Sequence, residues 1–289
     1  MKDSLKIIRF FFSFCCFMFI SIPIVLFLRE ILGMTLNGSD YNDLILVDTI
    51  HSVILVIIVF ILYFDKIKDA TKKIKTMGGE NFIKKVIISG LMLFVVKIGA
   101  GIVISILTVL LGLDSTSVEN QELVEKMLVS APLVMMISVS ILAPITEELI
   151  FRAGISDVVK NKRVFIAVSG LIFGLMHVTG SVVLFMEILL IGIVLNRILS
   201  DEKIKKSTKI MLSVIASVLI LMLFTSVYMS EFGNLIVKIK SLDLVEVIGS
   251  IVYITMGIYL AKLYTEDENI LYTIFVHGFN NFVSVLLIM

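Results

Sequence analysis

The chain contains little charge and almost no cysteine. Only 17% of its 289 residues are Asp, Glu, Lys or Arg, whereas 58% are hydrophobic. A soluble protein of this length carries more charge and could not bury so much apolar surface, so a soluble globular fold is excluded. The two cysteines, Cys15 and Cys16, are adjacent. Neighbours of this kind rarely pair, which excludes a disulfide framework.

Signatures of other protein classes are also missing. The net charge is only +1 and no patch combines aromatic with basic residues, so nothing indicates a nucleic-acid partner. No Gly/Ser-rich linker divides the chain into soluble domains. The basic start at Met1–Arg9 and the apolar run Phe10–Leu28 resemble a secretion signal, but the run is too long and no small-x-small cleavage site follows it. We interpret it as a retained transmembrane helix.

Long hydrophobic runs recur along the whole chain. A helix needs roughly 20 apolar residues to cross a bilayer, and helices are favoured because backbone groups in lipid must satisfy one another. Hydropathy therefore predicts an all-α, polytopic membrane protein with about nine transmembrane helices. The predicted spans are Phe10–Leu28, Leu44–Phe64, Val86–Leu113, Met127 to about Val159, Val164–Gly180, Val182–Leu199, Ile210–Tyr228, Val247–Tyr264 and Ile270–Met289. Phe232–Glu246 is predicted as an interfacial helix.

Lysine and arginine are unevenly distributed between the loops. With alternating crossings, most basic clusters fall on one side, which the positive-inside rule assigns to the cytoplasm. These clusters lie at residues 2–9, 66–85, 160–163 and 203–209. The acidic loop 114–125 falls outside; residues 238–240 and 266–268 run against the assignment, and the majority decides it. We expect a multi-pass plasma-membrane protein whose N-terminus and active-site opening are cytoplasmic.

Three charged residues interrupt the apolar run that begins near Met127. They are Glu147, Glu148 and Arg152, and ionisable groups in hydrocarbon mark function by default. Glu148 and Arg152 are spaced i,i+4 with the acid first, which favours an ion pair that orients the helix. Glu147 points about 100° away and has no local partner, which suits a general base. The alternative is that both acids only bond to neighbouring helices. Pro144 predicts a kink just before them.

Two later spans each carry one of the three histidines. Phe173 and His177 are one turn apart, as are His277 and Asn281. At 1.5 Å per residue, these side chains and Glu147 all lie roughly 13–25 Å from the inner ends of their helices. Independent polar residues have no reason to align in depth, so we expect them to form one site.

Further spans carry features that could serve packing alone. Gly170 and Gly174 form a small-xxx-small face that predicts close helix approach. Asp48 and His51 are spaced i,i+3 and could pair with each other or with Lys97. We interpret them as an internal polar bridge.

Such a site could hydrolyse a peptide without a covalent nucleophile. Glu147 and His177 would activate water, while His277 and Asn281 would stabilise the oxyanion. No serine or cysteine nucleophile motif is evident. Glu147, His177 and His277 would also supply three ligands to a catalytic zinc, although no His-Glu-x-x-His motif occurs and Asn281 is a poor ligand. We expect no cofactor to be required, with Zn²⁺ as the alternative.

Three motifs occur in an order that resembles the CPBP intramembrane proteases. They are Glu-Glu-x-x-x-Arg at Glu147–Arg152, Phe-x-x-x-His at Phe173–His177 and His-x-x-x-Asn at His277–Asn281. This family is also called the CAAX protease and bacteriocin-processing, or Abi, family, and it is commonly labelled metalloprotease. The resemblance covers residues 127–289 and implies a CPBP-like helical core, with residues 1–126 outside it.

The same resemblance implies roles for individual residues. Glu147 and His177 would activate water, and His277 and Asn281 would form the oxyanion site. Glu148, Arg152 and Phe173 would support the site. His177 and His277 are about 100 residues apart, which is longer than in the family and predicts a two-helix insertion between them. Either Phe185–Asp201 or Val252–Glu268, which resemble each other weakly, could be the core helix.

The residues and the resemblance together favour an intramembrane endopeptidase. Its expected partners are the lipid bilayer and a membrane-associated peptide or protein substrate. The Lys- and Ile-rich composition is typical of low-GC bacteria, so bacteriocin or pheromone processing, or self-immunity, is favoured over CAAX-type processing of lipidated C-termini. A catalytically silent immunity or scaffold protein is another alternative. A proton-coupled transporter would require internal repeats and broken helices at the midplane.

Overall fold

The computed structural model describes residues 2–20, 41–113, 119–177, 204–217 and 244–289, with scattered positions in 24–31 and 191–202. These residues form helices and turns, and no strand occurs among them. The predicted all-α fold is therefore confirmed for the described part of the chain.

The helices are numbered here in chain order. They are α1 (Lys2–Phe19), α2 (Tyr41–Leu62), α3 (Phe64–Met77), α4 (Gly79–Leu111), α5 (Glu119–Ser130), α6 (Pro132–Val158), α7 (Lys162–Leu175), α8 (206–217), α9 (Leu244–Asp267) and α10 (Ile270–Ile288).

Five of these helices are long and apolar enough to cross a membrane. They are α2, α4, α6, α9 and α10, and together they make this a multi-pass membrane protein. The count of about nine spans is not confirmed. In the described chain α7 has only 14 residues, which is short for a bilayer, and α1 carries four charged residues between Lys2 and Arg9.

Parts of the prediction lie outside the described residues. This holds for most of the predicted spans Val182–Leu199 and Ile210–Tyr228, and for most of the predicted interfacial helix Phe232–Glu246. The predicted insertion between His177 and His277 falls largely in the same region. The predicted domain boundary between residues 126 and 127 also stays a prediction.

The helix α6 departs from regular α-helical geometry at two places. Segments Ser138–Leu142 and Leu149–Gly154 are π-helical, and the α-helical piece Ala143–Glu148 lies between them. Pro144 has no backbone N–H, so it cannot donate to the carbonyl of Ser140. The break in the hydrogen-bond ladder expected at this proline coincides with a π-helical turn, a feature common at functional sites. Both candidate carboxylates lie on the short α-helical piece.

Glycines allow α7 and α9 to approach closely. A Cβ atom added at Gly174 would lie 2.6 Å from the backbone nitrogen of Ile254, and one at Gly170 would lie 2.8 Å from that of Ile258. The small-xxx-small face predicted for α7 is thus confirmed, and its partner is α9. This contact fixes the C-terminal end of α7, where His177 follows, against the inner part of the bundle.

Ion pairs join α1, α3 and α6 at one end of the bundle. Arg9 Nη1 lies 2.7 Å from Asp65, and its other terminal nitrogen contacts Asp157 in the last turn of α6. Lys66 lies 3.1 Å from the same buried Asp157. The N-terminal helix α1 is therefore linked by an ion pair directly to α6, the helix that carries Glu147 and Glu148.

Candidate active site

Protein surrounds Glu148 completely. Its side chain is 0% exposed, and Oε2 lies 3.2 Å from Arg152 Nε. Oε1 accepts a hydrogen bond from His277 Nδ1 at 3.0 Å. A buried carboxylate needs partners for its charge, and here they come from its own helix and from α10. The predicted Glu148–Arg152 pair is confirmed, whereas the bond to His277 was not predicted.

Arg152 is compensated by one carboxylate and one aromatic face. Its guanidinium carbon lies 4.5 Å from the centroid of the Phe173 ring, a cation–π contact. Its contact with Glu148 is an ion pair of imperfect alignment, and no guanidinium nitrogen makes a well-aligned hydrogen bond within the described part of the chain. The Phe173 ring also contacts both histidine rings, with centroids 4.6 Å from His177 and 5.6 Å from His277. Phe173 therefore fixes three polar groups at once.

His177 lies just beyond the end of α7, and its tautomer follows from its contacts. Its Nδ1 is 2.7 Å from the carbonyl oxygen of Phe173. A carbonyl can only accept, so Nδ1 carries the hydrogen, and Nε2 of the neutral ring is left as an acceptor. The ring also stacks on Tyr253 of α9, with centroids 4.6 Å apart and planes inclined by 14°. His177 is thus held from both sides with Nε2 pointing away from its anchor.

The environment of Glu147 differs from that of Glu148, because Glu147 lies between two histidines and not beside Arg152. Its Oε2 lies 3.9 Å from Nε2 of His177 and 3.9 Å from Nε2 of His277. These distances are too long for direct hydrogen bonds, and this buried oxygen has no hydrogen-bond partner among the described residues. One water molecule could bridge such a gap. The expectation that Glu147 lacks a partner on its own helix agrees with this arrangement.

Asn281 contacts the irregular part of α6. Its Nδ2 donates to the carbonyl oxygen of Val139 at 3.0 Å, and its Oδ1 accepts from Asn280 at 3.1 Å. An amide nitrogen carries two hydrogens, so one remains for a ligand. Gly278 allows this approach, because a Cβ atom there would lie 2.6 Å from the carbonyl oxygen of Ser140.

These side chains line one large cavity. Its volume is about 800 Å³, and Glu147, His177, His277 and Asn281 all border it. The cavity is bordered by residues of α2, α4, α6, α9 and α10. In this bundle α2 packs on α6, and α10 packs on both α4 and α6. The wall of the cavity is mostly apolar, as is usual for ligand-binding pockets.

The predicted zinc alternative can be compared with the geometry. Zinc binds nitrogen and oxygen ligands at about 2.0–2.2 Å, which places neighbouring ligand atoms of a tetrahedral site about 3.3 Å apart. Here Glu147 Oε2 is 3.9 Å from each histidine nitrogen. The described residues contain no group of three His, Cys, Asp or Glu side chains placed to hold a metal ion. The side chains as placed do not fit zinc, and metal-free hydrolysis stays a prediction.

The structure brings all seven predicted site residues together, but their chemical roles stay predictions. Sequence reasoning missed three contacts: the Glu148–His277 bond, the Tyr253 stack and the Asn281–Val139 bond. Asp48 and His51 were predicted to pair with each other or with Lys97, but no hydrogen bond or ion pair joins these three side chains among the described residues. Asp48 accepts from Ser138 at 3.0 Å, and Lys97 contacts Ser284.

One comparison with known protein families matches part of the chain. Residues 129–204 match the family model described as type II CAAX prenyl endopeptidase Rce1-like, which belongs to the CPBP family. The resemblance predicted from the motifs is therefore confirmed for this segment, which contains the Glu147–Arg152 and Phe173–His177 motifs and ends before His277. No curated protein and no solved structure matches the chain.

Proposed function

We propose that the protein is an intramembrane endopeptidase that hydrolyses peptide bonds with a water molecule activated by Glu147 and His177. The observation that carries the proposal is the Glu147 Oε2 atom. It is buried, has no hydrogen-bond partner in the described chain and lies 3.9 Å from the Nε2 atoms of two histidines that border the same cavity. The CAAX endopeptidase match of residues 129–204 supports a protease assignment.

The tautomer of His177 suits this role. A water molecule between the two side chains would donate one hydrogen to Glu147 Oε2 and the other to the free Nε2 of His177. As the water oxygen bonds to the peptide carbonyl carbon, its proton passes to Glu147. The C–N bond then breaks, and the same proton passes to the departing amine nitrogen. The products are a carboxylic acid and an amine, and no covalent enzyme intermediate forms.

The oxyanion of the tetrahedral intermediate would be bound from α10. Asn281 has one amide hydrogen left after its bond to Val139. His277 donates from Nδ1 to Glu148, so its Nε2 donates to an oxyanion when the ring is protonated. Fixed donors of this kind, in a site with little water, stabilise developing charge strongly. Glu148 is thus a positioning residue for His277.

The test is cleavage of a synthetic library of membrane-inserting peptides by the purified protein in detergent. We expect mass spectrometry to detect defined products with the wild type and with Glu266→Gln, which removes an exposed carboxylate from the end of α9. Glu147→Gln should abolish them. Hydroxylamine should trap no acyl-enzyme. Cleavage by Glu147→Gln at the wild-type rate would refute the assignment, and activity lost to a zinc chelator and restored by Zn²⁺ would refute metal-free hydrolysis.

The substrate class is a separate part of the proposal. We favour bacteriocin or pheromone precursors, or a role in self-immunity, in the plasma membrane, with the cavity opening to the cytoplasm where the basic loops lie. CAAX-type processing is a second candidate, because the matching family is described by that activity. Farnesylated and unmodified versions of one peptide separate the two, since only CAAX-type processing requires the lipid. A silent scaffold would cleave neither.

A further inference from the structure

Lys97 lies in the middle of the long helix α4, far from either end. It is roughly 27 Å from the Gly79 end and roughly 21 Å from the Leu111 end at 1.5 Å per residue. No other charged residue follows Lys85 in this helix. An ammonium group at such depth is costly, and residues of this kind mark binding sites or ion pairs.

The contacts of Lys97 do not neutralise its charge. Its Nζ donates to the hydroxyl of Ser284 on α10 at 2.9 Å. Within the described chain no carboxylate lies within ion-pair distance of it. Asp48 accepts from Ser138 instead, and Glu147 Oε2 lies between the two histidines. Lys97 therefore has a hydroxyl and the Phe94 ring, 5.7 Å away, as partners, but no anion among the described residues.

Lys97 borders the same cavity as the candidate active site. It is the one lysine or arginine among the described residues that line this cavity. Its partner Ser284 follows Asn281 and His277 along α10, at axial distances of about 4.5 Å and about 10.5 Å. An extended peptide advances about 3.3 Å per residue. An anion bound at Lys97 would thus lie roughly two or three residues from a peptide bond held at the oxyanion donors.

We propose that Lys97 is a substrate-binding residue that takes a carboxylate of the bound peptide two or three residues from the scissile bond. The inference rests on the proposed function for its choice of ligand. The carboxylate has two possible sources, a free C-terminus or an acidic side chain. Both carry the same charge, and both would satisfy Lys97, which is the one lysine or arginine among the described residues that line this cavity. Lys97 lies outside the segment that matches the family model.

Binding can be measured without cleavage by using Glu147→Gln as the background. The probes are three fluorescent dodecapeptides of leucine and alanine: one with a free C-terminal carboxylate, one with a C-terminal amide, and one amide with glutamate at the third residue from the end. Anisotropy in detergent gives each Kd. We expect one or both carboxylate peptides to bind about 10- to 100-fold more tightly than the plain amide, and the tighter of the two identifies the source.

Variants of Lys97 then test whether this residue causes the preference for carboxylate peptides over the plain amide. Lys97→Met should remove it, Lys97→Arg should retain it, and the control Lys84→Met, on an exposed part of the same helix, should leave it unchanged. Circular dichroism checks that each variant is folded. Equal binding of all three peptides, or a preference that survives Lys97→Met, would overturn the inference. Should Lys97→Met fail to fold, the uncharged and polar Lys97→Gln takes its place, and a preference that survives Lys97→Gln would overturn the inference.

The outcomes separate this inference from the proposed function. If the wild type cleaves peptides but binds acids and amides equally, the protease assignment stands and the Lys97 site is refuted. If carboxylates bind through Lys97 but no peptide is cleaved, the binding site stands and the protease assignment is refuted. Absence of both binding and cleavage refutes both.

Discussion

Glu147 and Glu148 are adjacent in the chain, yet they occupy opposite environments. Glu148 is fully enclosed, pairs with Arg152 and accepts a hydrogen bond from His277. Glu147 borders a cavity of about 800 Å³, and in the described chain its Oε2 has neither a hydrogen bond nor an ion pair with arginine or lysine, whereas Oε2 of Glu148 lies 3.2 Å from Arg152. A rotation of about 100° between successive helix positions is enough to separate them. One carboxylate is therefore committed to the protein and the other is available to a ligand.

This difference shows how a helix can serve structure and chemistry at neighbouring positions. The buried partners of Glu148 come from α6 itself and from α10, so its position is set before any substrate binds. Glu147 lies between histidines from two other segments at distances that leave room for a water molecule. Glu148 thus helps to position the site, while Glu147 borders the cavity.

The largest expected effect tests the two carboxylates against each other. Glu147→Gln should reduce kcat/KM by about 10²- to 10⁴-fold, the usual contribution of a general base, with little change in thermal stability because no hydrogen bond is lost. Glu148→Gln should instead destabilise the protein by about 3–5 kcal/mol, because it leaves Arg152 buried and unpaired. Thermal melting by circular dichroism suits this chain, which contains no tryptophan.

A double variant sharpens that comparison. Glu148→Gln combined with Arg152→Met removes both buried charges, so it should recover much of the stability lost in Glu148→Gln alone. It should not recover activity, because His277 remains without its carboxylate partner. If Glu147→Gln lowered the melting temperature as much as Glu148→Gln, the division of roles between them would be wrong.

The sequence predicted which residues form the site better than it predicted the hydrogen bonds between them. The depths of Glu147, His177 and His277 follow from helix rise, which is regular, and the i,i+4 pair follows from helix period. The Glu148–His277 bond joins positions 129 residues apart, and nothing local in either segment indicates it. Such a bond depends on how the helices pack, which a single sequence does not specify.

The π-helical geometry of α6 is a second feature that depends on helix packing and that the sequence did not predict. Pro144 indicated a broken ladder, but whether the helix kinks or widens into a π-turn depends on the helix packed against it. Here α10 approaches through Gly278, and the Asn281 side chain satisfies the carbonyl of Val139 inside the π-helical turn. A glycine alone in an apolar span did not reveal this contact, and the Tyr253 stack on His177 carried no sequence signal either.

An intermediate effect is expected from the glycine contact between α10 and α6. In Gly278→Ala the new methyl group would lie 2.6 Å from the backbone carbonyl of Ser140, so α10 must shift. We expect a loss of about 1–3 kcal/mol in stability, typical of overpacking, and a lower kcat because both proposed oxyanion donors, His277 and Asn281, are on α10. The control is Gly101→Ala in α4, where nothing lies within 4 Å of the added atom.

The control should be neutral or slightly stabilising, since alanine favours helix over glycine by about 1 kcal/mol. Melting temperature and kinetics measured on both variants distinguish a local clash from a general effect of losing a glycine. Equal behaviour of Gly278→Ala and Gly101→Ala would mean that α10 does not need this close approach.

The smallest expected effect concerns Tyr253, the residue of α9 that contacts His177. Its ring stacks on His177, and its hydroxyl donates to Gln121 Oε1 at 3.2 Å. Tyr253→Phe keeps the ring and removes one hydrogen bond worth about 1 kcal/mol, so kcat/KM should fall less than about fivefold. Tyr253→Leu also removes the aromatic contact, worth about 0.5–1.5 kcal/mol, and should reduce kcat/KM by about a further 2- to 12-fold beyond Tyr253→Phe.

If the ring positions His177, the loss in Tyr253→Leu should fall mainly on kcat, because the histidine would no longer hold water at a fixed angle to Glu147. A purely structural role would lower the melting temperature of both variants in parallel and leave kcat of the folded fraction unchanged. An increase in KM alone would indicate that Tyr253 contacts the substrate instead. The leucine variant thus tests whether Glu147 depends on His177 being held in place by α9, just as Glu148 depends on His277 of α10.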